Sequence, residues 1–172
     1  MGAGDRLDAS YSELFADLTS LCRGLGAGSS AEDIAQESLL HARERSDQLR
    51  DADKLRPWVR RIAARRTFEH LRRQKHPPPF DHATEFVPVD PTISIDVSAA
   101  VTALPPRERA AIVLVYGFGY EQEEAADVMG VTRGTVATLL HRARRHLAER
   151  LANYAAHEPS APGTARDEGS DR

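Results

Sequence analysis

Apolar residues recur along this chain at helical spacing, in separate blocks. Leu7, Tyr11, Leu14, Phe15, Leu18, Leu21 and Leu25 fall three and four apart, which predicts an amphipathic helix over residues 5–25. Gly24, Gly26 and Gly28 end it. A second helix is expected over 31–46, with Ser30 as its N-cap and Asp33 as a weak capping-box partner. After the polar loop Asp47–Asp53, a third helix runs from Lys54 to Lys75, and Pro57 is tolerated in its first turn. Leu55, Trp58, Val59, Ile62 and Ala63 line one side of it; Arg56, Arg60, Arg61 and Arg65 line the other. Past Ala64 the apolar stripe rotates, so the helix is expected to leave its packing partners there.

The pattern then breaks. His76–Asp96 holds five prolines and no helical period, the signature of a partly extended linker. Beyond it, Val97–Leu104 reads as a short helix, and Pro106 is placed to start another that reaches Tyr116. Two more helical patterns meet at Met129-Gly130-Val131-Thr132, the grammar of a helix-turn-helix. In the second of them Val136, Leu139, Leu140, Ala143, Leu147 and Leu151 form a stripe to be buried. The opposite face carries Thr138, His141, Arg142 and Arg145, with Arg133 and Thr135 near the start, and can meet phosphates and base edges. No strand pattern survives anywhere. The expected fold is all-α: two small helical domains, 1–75 and 97–155, joined by a flexible Pro-rich linker over 76–96. Residues 156–172, rich in Pro, Gly, Ser and charge, read as a disordered tail.

Charge sharpens the picture. The formal net charge is −3 over 172 residues, which argues against a simple DNA-coating protein. The average hides a polarity. Lys54, Arg56, Arg60, Arg61, Arg65, Arg66, Arg72, Arg73 and Lys75 share the third helix with one acid, Glu69. Residues before it are acidic, among them Asp5, Asp8, Glu13, Asp17, Glu32, Asp33 and Glu37. Such a chain suits nucleic acid on one surface and a basic partner on another. Contacts from the arginines to phosphates would release counterions and make binding salt-sensitive. Trp58 belongs to the apolar stripe, which points to the core, although its ring could stack on an unpaired base. Asp33, Gln36 and Glu37 share one side of the second helix. That patch is either a solvated face or a dock for a basic helical surface.

The single cysteine, Cys22, lies in an apolar pattern and reads as a buried structural thiol in a reducing compartment. No apolar run spans a membrane and no secretory signal opens the chain, so a cytoplasmic protein is expected. The seven histidines are scattered, and neither a metal-ligand spacing, a phosphate loop nor a nucleophile elbow is present. No enzyme activity, cofactor or metal is expected.

Taken in order, these motifs resemble the bacterial RNA polymerase sigma factors of the extracytoplasmic-function class. AEDIAQESLL resembles the family's AED-x-x-Q-E segment, and RPWVRRIAARRTFEHLRRQ its W-L-x-R-I-A-x-N-x-x-x-D-x-x-R-R helix. ALPPRERAAIVL is close to the usual opening of the second domain, and GTVATLLHRARRHL to the G-T-V-x-S-x-x-x-R-A-R-x-x-L reader helix. The resemblance covers residues 5–75 and 97–152. It implies that Asp33, Gln36 and Glu37 dock on a coiled coil of the core polymerase. It implies that the loop 47–53 and the helix with Arg56, Arg60, Arg61, Arg65, Arg72 and Arg73 open the minus-ten element and capture a flipped base. The helix from Arg133, through Thr135, Thr138, His141, Arg142 and Arg145, would read the minus-thirty-five element. Core polymerase, promoter DNA and an anti-sigma protein are the implied partners. The competing reading is a helix-turn-helix regulator, ordinary or sigma-derived, that does not melt promoters.

The chain departs from the family pattern in three places. Ala137, Thr138 and Leu139 stand where a basic residue, Ser and another basic residue are usual, so upstream DNA contacts are expected to be weaker. Glu121 replaces a Ser or Thr cap and Ala125 a bulky Ile, so the first helix of the motif is expected to start less firmly and pack less tightly. Arg65 and Glu69 replace Asn and Asp, and Arg65 adds charge on the minus-ten side.

Overall fold

The computed structural model describes residues 3–74 and 95–157. Every regular element among them is helical. Helices α1 (Ala3–Ala9) and α2 (Tyr11–Leu25) replace the one helix expected over 5–25. They part at Ser10, whose backbone turns out of helical geometry. Helix α2 ends at Gly26, which adopts φ +103 so that its own N–H and that of Ala27 reach back to Arg23 and Cys22 carbonyls.

A tight turn, Gly28–Ser30, runs straight into α3 (Ala31–Glu44). Ser30 is itself helical and makes no side-chain cap. The N–H of Ala31 bonds to the Gly28 carbonyl, so the chain enters α3 through a continuous helical turn instead of a side-chain cap. In the loop that follows, the Asp51 carboxylate accepts from the Asp53 N–H at 3.0 Å and fixes the turn before α4 (Leu55–Arg73).

Helices α2, α3 and α4 pack together around Leu14, Leu18, Leu21, Ile34, Leu39, Val59 and Ala63. The α4 stripe does not leave its partners at Ala64. Ala64 and Thr67 continue it, both fully buried. The Thr67 hydroxyl donates to the Ala63 carbonyl at 2.9 Å and lies 3.2 Å from the Cys22 sulfur, so a polar residue can extend an apolar seam. Burial pushes the Cys22 thiol up to about 11. Cys22 is therefore expected to resist a disulfide reagent at pH 8 and to react at the rate of unfolding; full labelling within seconds in native buffer would contradict this.

The second half begins with α5 (Ile95–Thr102), two residues ahead of the predicted start. Most of the predicted linker, and the tail beyond 157, lie outside the described residues. Helix α6 (Pro106–Ile112) widens into a broad turn, Val113–Gly117, and the Phe118 N–H closes on the Val113 carbonyl at 3.0 Å. Helices α7 (Gln122–Met129) and α8 (Arg133–His157) form the helix-turn-helix. Buried Glu108 holds His146 at 2.7 Å, clasping α6 to α8.

The buried apolar residues of both halves form one contiguous cluster, with α2 against α6 and α4 against α7. Arg109 is buried at this seam. One guanidinium nitrogen donates to the Thr102 carbonyl at 3.3 Å, and the other sits 2.5 Å from where a Cβ on Gly26 would be. Burial lowers its pKa to about 10. No helix among the described residues is long and apolar enough to cross a membrane.

Candidate nucleic-acid interface

Helix α8 is set by the turn before it. Gly130 takes φ +67 and ends α7, a conformation that glycine adopts without strain. Thr132 then caps α8, its hydroxyl accepting from the Thr135 N–H at 3.2 Å and meeting the Thr135 hydroxyl at 2.9 Å. Thr135 is thus half-buried and engaged at the cap. Arg133, Thr138, His141, Arg142 and Arg145 are exposed on one side of α8, while Val136, Leu139, Leu140 and Ala143 are buried on the other. Leu139 is only 8% exposed, so one of the two missing cations falls at a position that faces the core. Ala137 is exposed. The weak start expected for α7 is not found, because Glu124 reaches back to accept from the Glu121 N–H at 3.0 Å.

The six arginines singled out on α4 do not share one open face. Arg60 turns inward and donates to Asp17 through two nitrogens, at 2.7 and 2.6 Å. The Asp17 side chain is 4% exposed, and the Phe118 ring covers the Arg60 guanidinium at 5.0 Å. In this conformation Arg60 is committed to the fold and is not an open phosphate contact. Arg56 lies 3.4 Å from Glu13 on the surface. Arg61 and Arg65 both reach Asp127 of α7, at 3.1 and 2.7 Å. Arg72 and Arg73 are exposed.

Arg65 and Arg73 converge on a groove of about 490 Å³ with the half-buried Trp58 on its wall. His41, Arg45 and Arg66 line it too. Partial desolvation, reinforced by Arg45 and Arg66, holds the His41 imidazole below its ordinary value. These three come from α3, its end and the far side of α4, so no single helical stripe marks them in the sequence. The groove joins a flat aromatic ring to a rim of cations, the means by which an unpaired base and its phosphates are held.

Asp33, Gln36, Glu37 and Leu40 form an exposed stripe along α3, and Leu40 is 53% exposed. Glu37 shares its carboxylate with Arg66 at 3.2 Å. Carboxylates around an uncovered leucine suit a basic, partly apolar helical partner. Among the described residues no group of His, Cys, Asp and Glu is placed to hold a metal ion.

Comparison with known proteins agrees with this layout. Residues 11–76 match the sigma-70 region 2 family and residues 94–147 match sigma-70, region 4. The chain is 29% identical over 131 residues to the ECF RNA polymerase sigma factor SigF of Caulobacter vibrioides, covering 73% of each protein. It is 30% identical over 151 residues to the ECF RNA polymerase sigma factor SigW of Bacillus subtilis, covering 76% of this chain and 81% of that one. Its fold is similar to that of the sigma factor RpoE in complex with the anti-sigma factor NepR from Bartonella quintana. There the TM-score is 0.62 at 21% identity, over 86% of this chain and 97% of that one. Two helical domains carrying these surfaces in this order, and a relative of this identity over most of its length, settle the family: the chain belongs to the ECF RNA polymerase sigma factors.

Proposed function

We propose that this chain is a promoter-specificity subunit that works in three places at once. Asp33, Gln36 and Glu37 grip the core polymerase. The α4 arginines other than Arg60, with the Trp58 groove, hold the opened minus-ten element. The outer face of α8 reads the minus-thirty-five element, with Arg142 at its centre. No covalent chemistry is asked of the chain, and its place of work is the cytoplasm, beside the chromosome. The similar fold seen bound to an anti-sigma factor supports an inhibitory partner of the same class here.

One observation carries this reading. The two surfaces meant for partners, on α3 and α8, are exposed along helices whose other sides are buried. The test is run-off transcription with core polymerase on a library of genomic promoters. Specific transcripts that need the chain are expected, and DNA binding without transcripts would favour the regulator that does not melt promoters. Within that assay, Arg142→Ala is expected to weaken upstream-element binding about tenfold, the scale of one lost base or phosphate contact. Arg72→Ala should change it less than about twofold, being on the other domain. The reverse order would mean that α8 is not the reader.

A further inference from the structure

Asp127 stands on the wrong end of its helix. It lies in the last turn of α7, where the helix dipole disfavours an anion, and no basic residue of that turn balances it. Its compensation comes from the other domain: Arg65 at 2.7 Å and Arg61 at 3.1 Å, which together hold the Asp127 carboxyl below the usual carboxylate range. Arg65 is the residue that stands where the family pattern has Asn, so the shortest of these contacts is a feature of this chain.

The same seam is closed elsewhere. Phe118 covers Arg60, Arg109 is buried against Gly26, and the Arg72 guanidinium reaches 3.5 Å from where a Cβ on Gly130 would stand. A carboxylate between two guanidiniums occupies the seats that a DNA phosphate would take. Accepting the sigma-factor reading above, we infer that in the free protein α7 docks on the basic face of α4, with Asp127 in the phosphate seats of Arg61 and Arg65, so this part of the minus-ten surface is masked while the Trp58 groove, the α3 stripe and the outer face of α8 stay open. Masking is then selective. Polymerase docking and upstream reading need no opening; minus-ten engagement does. The ion pairs are surface pairs and respond to salt, whereas Phe118 and Arg109 are buried and do not.

The test needs neither polymerase nor a promoter. Small-angle scattering is recorded on the full chain as wild type, Asp127→Lys, Asp127→Lys/Arg65→Glu, and Glu123→Lys as a matched charge change on the same helix. Affinity for a short fluorescent single-stranded oligonucleotide of mixed sequence is measured on each. Asp127→Lys should expand the particle and raise oligonucleotide affinity at least about threefold above Glu123→Lys, by freeing the competent state. The charge swap should restore compactness. Identical scattering for wild type and Asp127→Lys would overturn Asp127 as the latch, the seam then being held by Phe118 and Arg109 alone. Expansion with no gain in oligonucleotide affinity would overturn the masking and, separately, the minus-ten role of α4. If expansion and tighter binding are seen here while the separate run-off assay gives no specific transcripts, the latch stands and the sigma-factor reading is what fails.

Discussion

Asp33→Arg is expected to reduce affinity for core polymerase by about thirtyfold or more, the loss typical of a residue that dominates an interface. Asp33 is exposed on α3, one turn from Gln36 and Glu37, so the substitution changes a partner surface and not the core. Reversal also sets a cation against the basic surface that this stripe suits, which adds repulsion to the lost attraction. Glu37→Ala should cost less, because Glu37 already shares its carboxylate with Arg66. Equilibrium binding to labelled core enzyme measures both, and circular dichroism checks that helicity is unchanged. Equal affinity of Asp33→Arg and wild type would remove α3 from the polymerase contact.

Asp17→Ala should lower the free energy of unfolding by about 3 kcal/mol, the lower end for a broken buried pair, because it strands a largely but not fully buried cation. That is a large share of the roughly 5–15 kcal/mol that holds a typical domain. Asp17 is 6% exposed, and Arg60, paired with it through two nitrogens, lies beneath Phe118. With the carboxylate gone, the guanidinium must break out to water and drag its neighbours, or stay charged and unpaired. Replacing both partners, as Asp17→Leu/Arg60→Met, should recover most of the loss, since an apolar pair of similar volume is often as stable as the ions. Urea unfolding of the three proteins decides it. A loss below about 1 kcal/mol in Asp17→Ala, the scale of exposed pairs, would show that the pair is solvated.

Helical period made most of the fold legible. The α8 stripe through Val136, Leu139, Leu140 and Ala143 is buried as its spacing requires, and α4 begins and ends within two residues of its expected bounds. Periodicity reports what faces inward, not what an inward residue meets. Asp17 and Arg60 are 43 positions apart, and Asp127 and Arg65 are 62 apart, so no local pattern announces either pair. The same limit hid Arg60: its place opposite the apolar stripe marked it as a phosphate contact, yet α2 lies there with an acid. Thr67 was concealed differently, since its hydroxyl borrows a carbonyl one turn back and then behaves as an apolar side chain. At the cap of α7 the missing Ser or Thr is made good by a capping box between Glu121 and Glu124, three residues on.

Evolution and protein engineers face unequal choices at the two alanine-and-leucine positions of the reader. Leu139 is tied to the packed side of α8, so a lysine grafted there to imitate relatives would spend its charge inside the motif. Ala137 looks outward, and the helix tolerates almost any side chain on that face. Under the proposed role of α8, a side chain at 137 can therefore change what meets DNA without endangering the scaffold, while the choice at 139 is bound to the core it packs into.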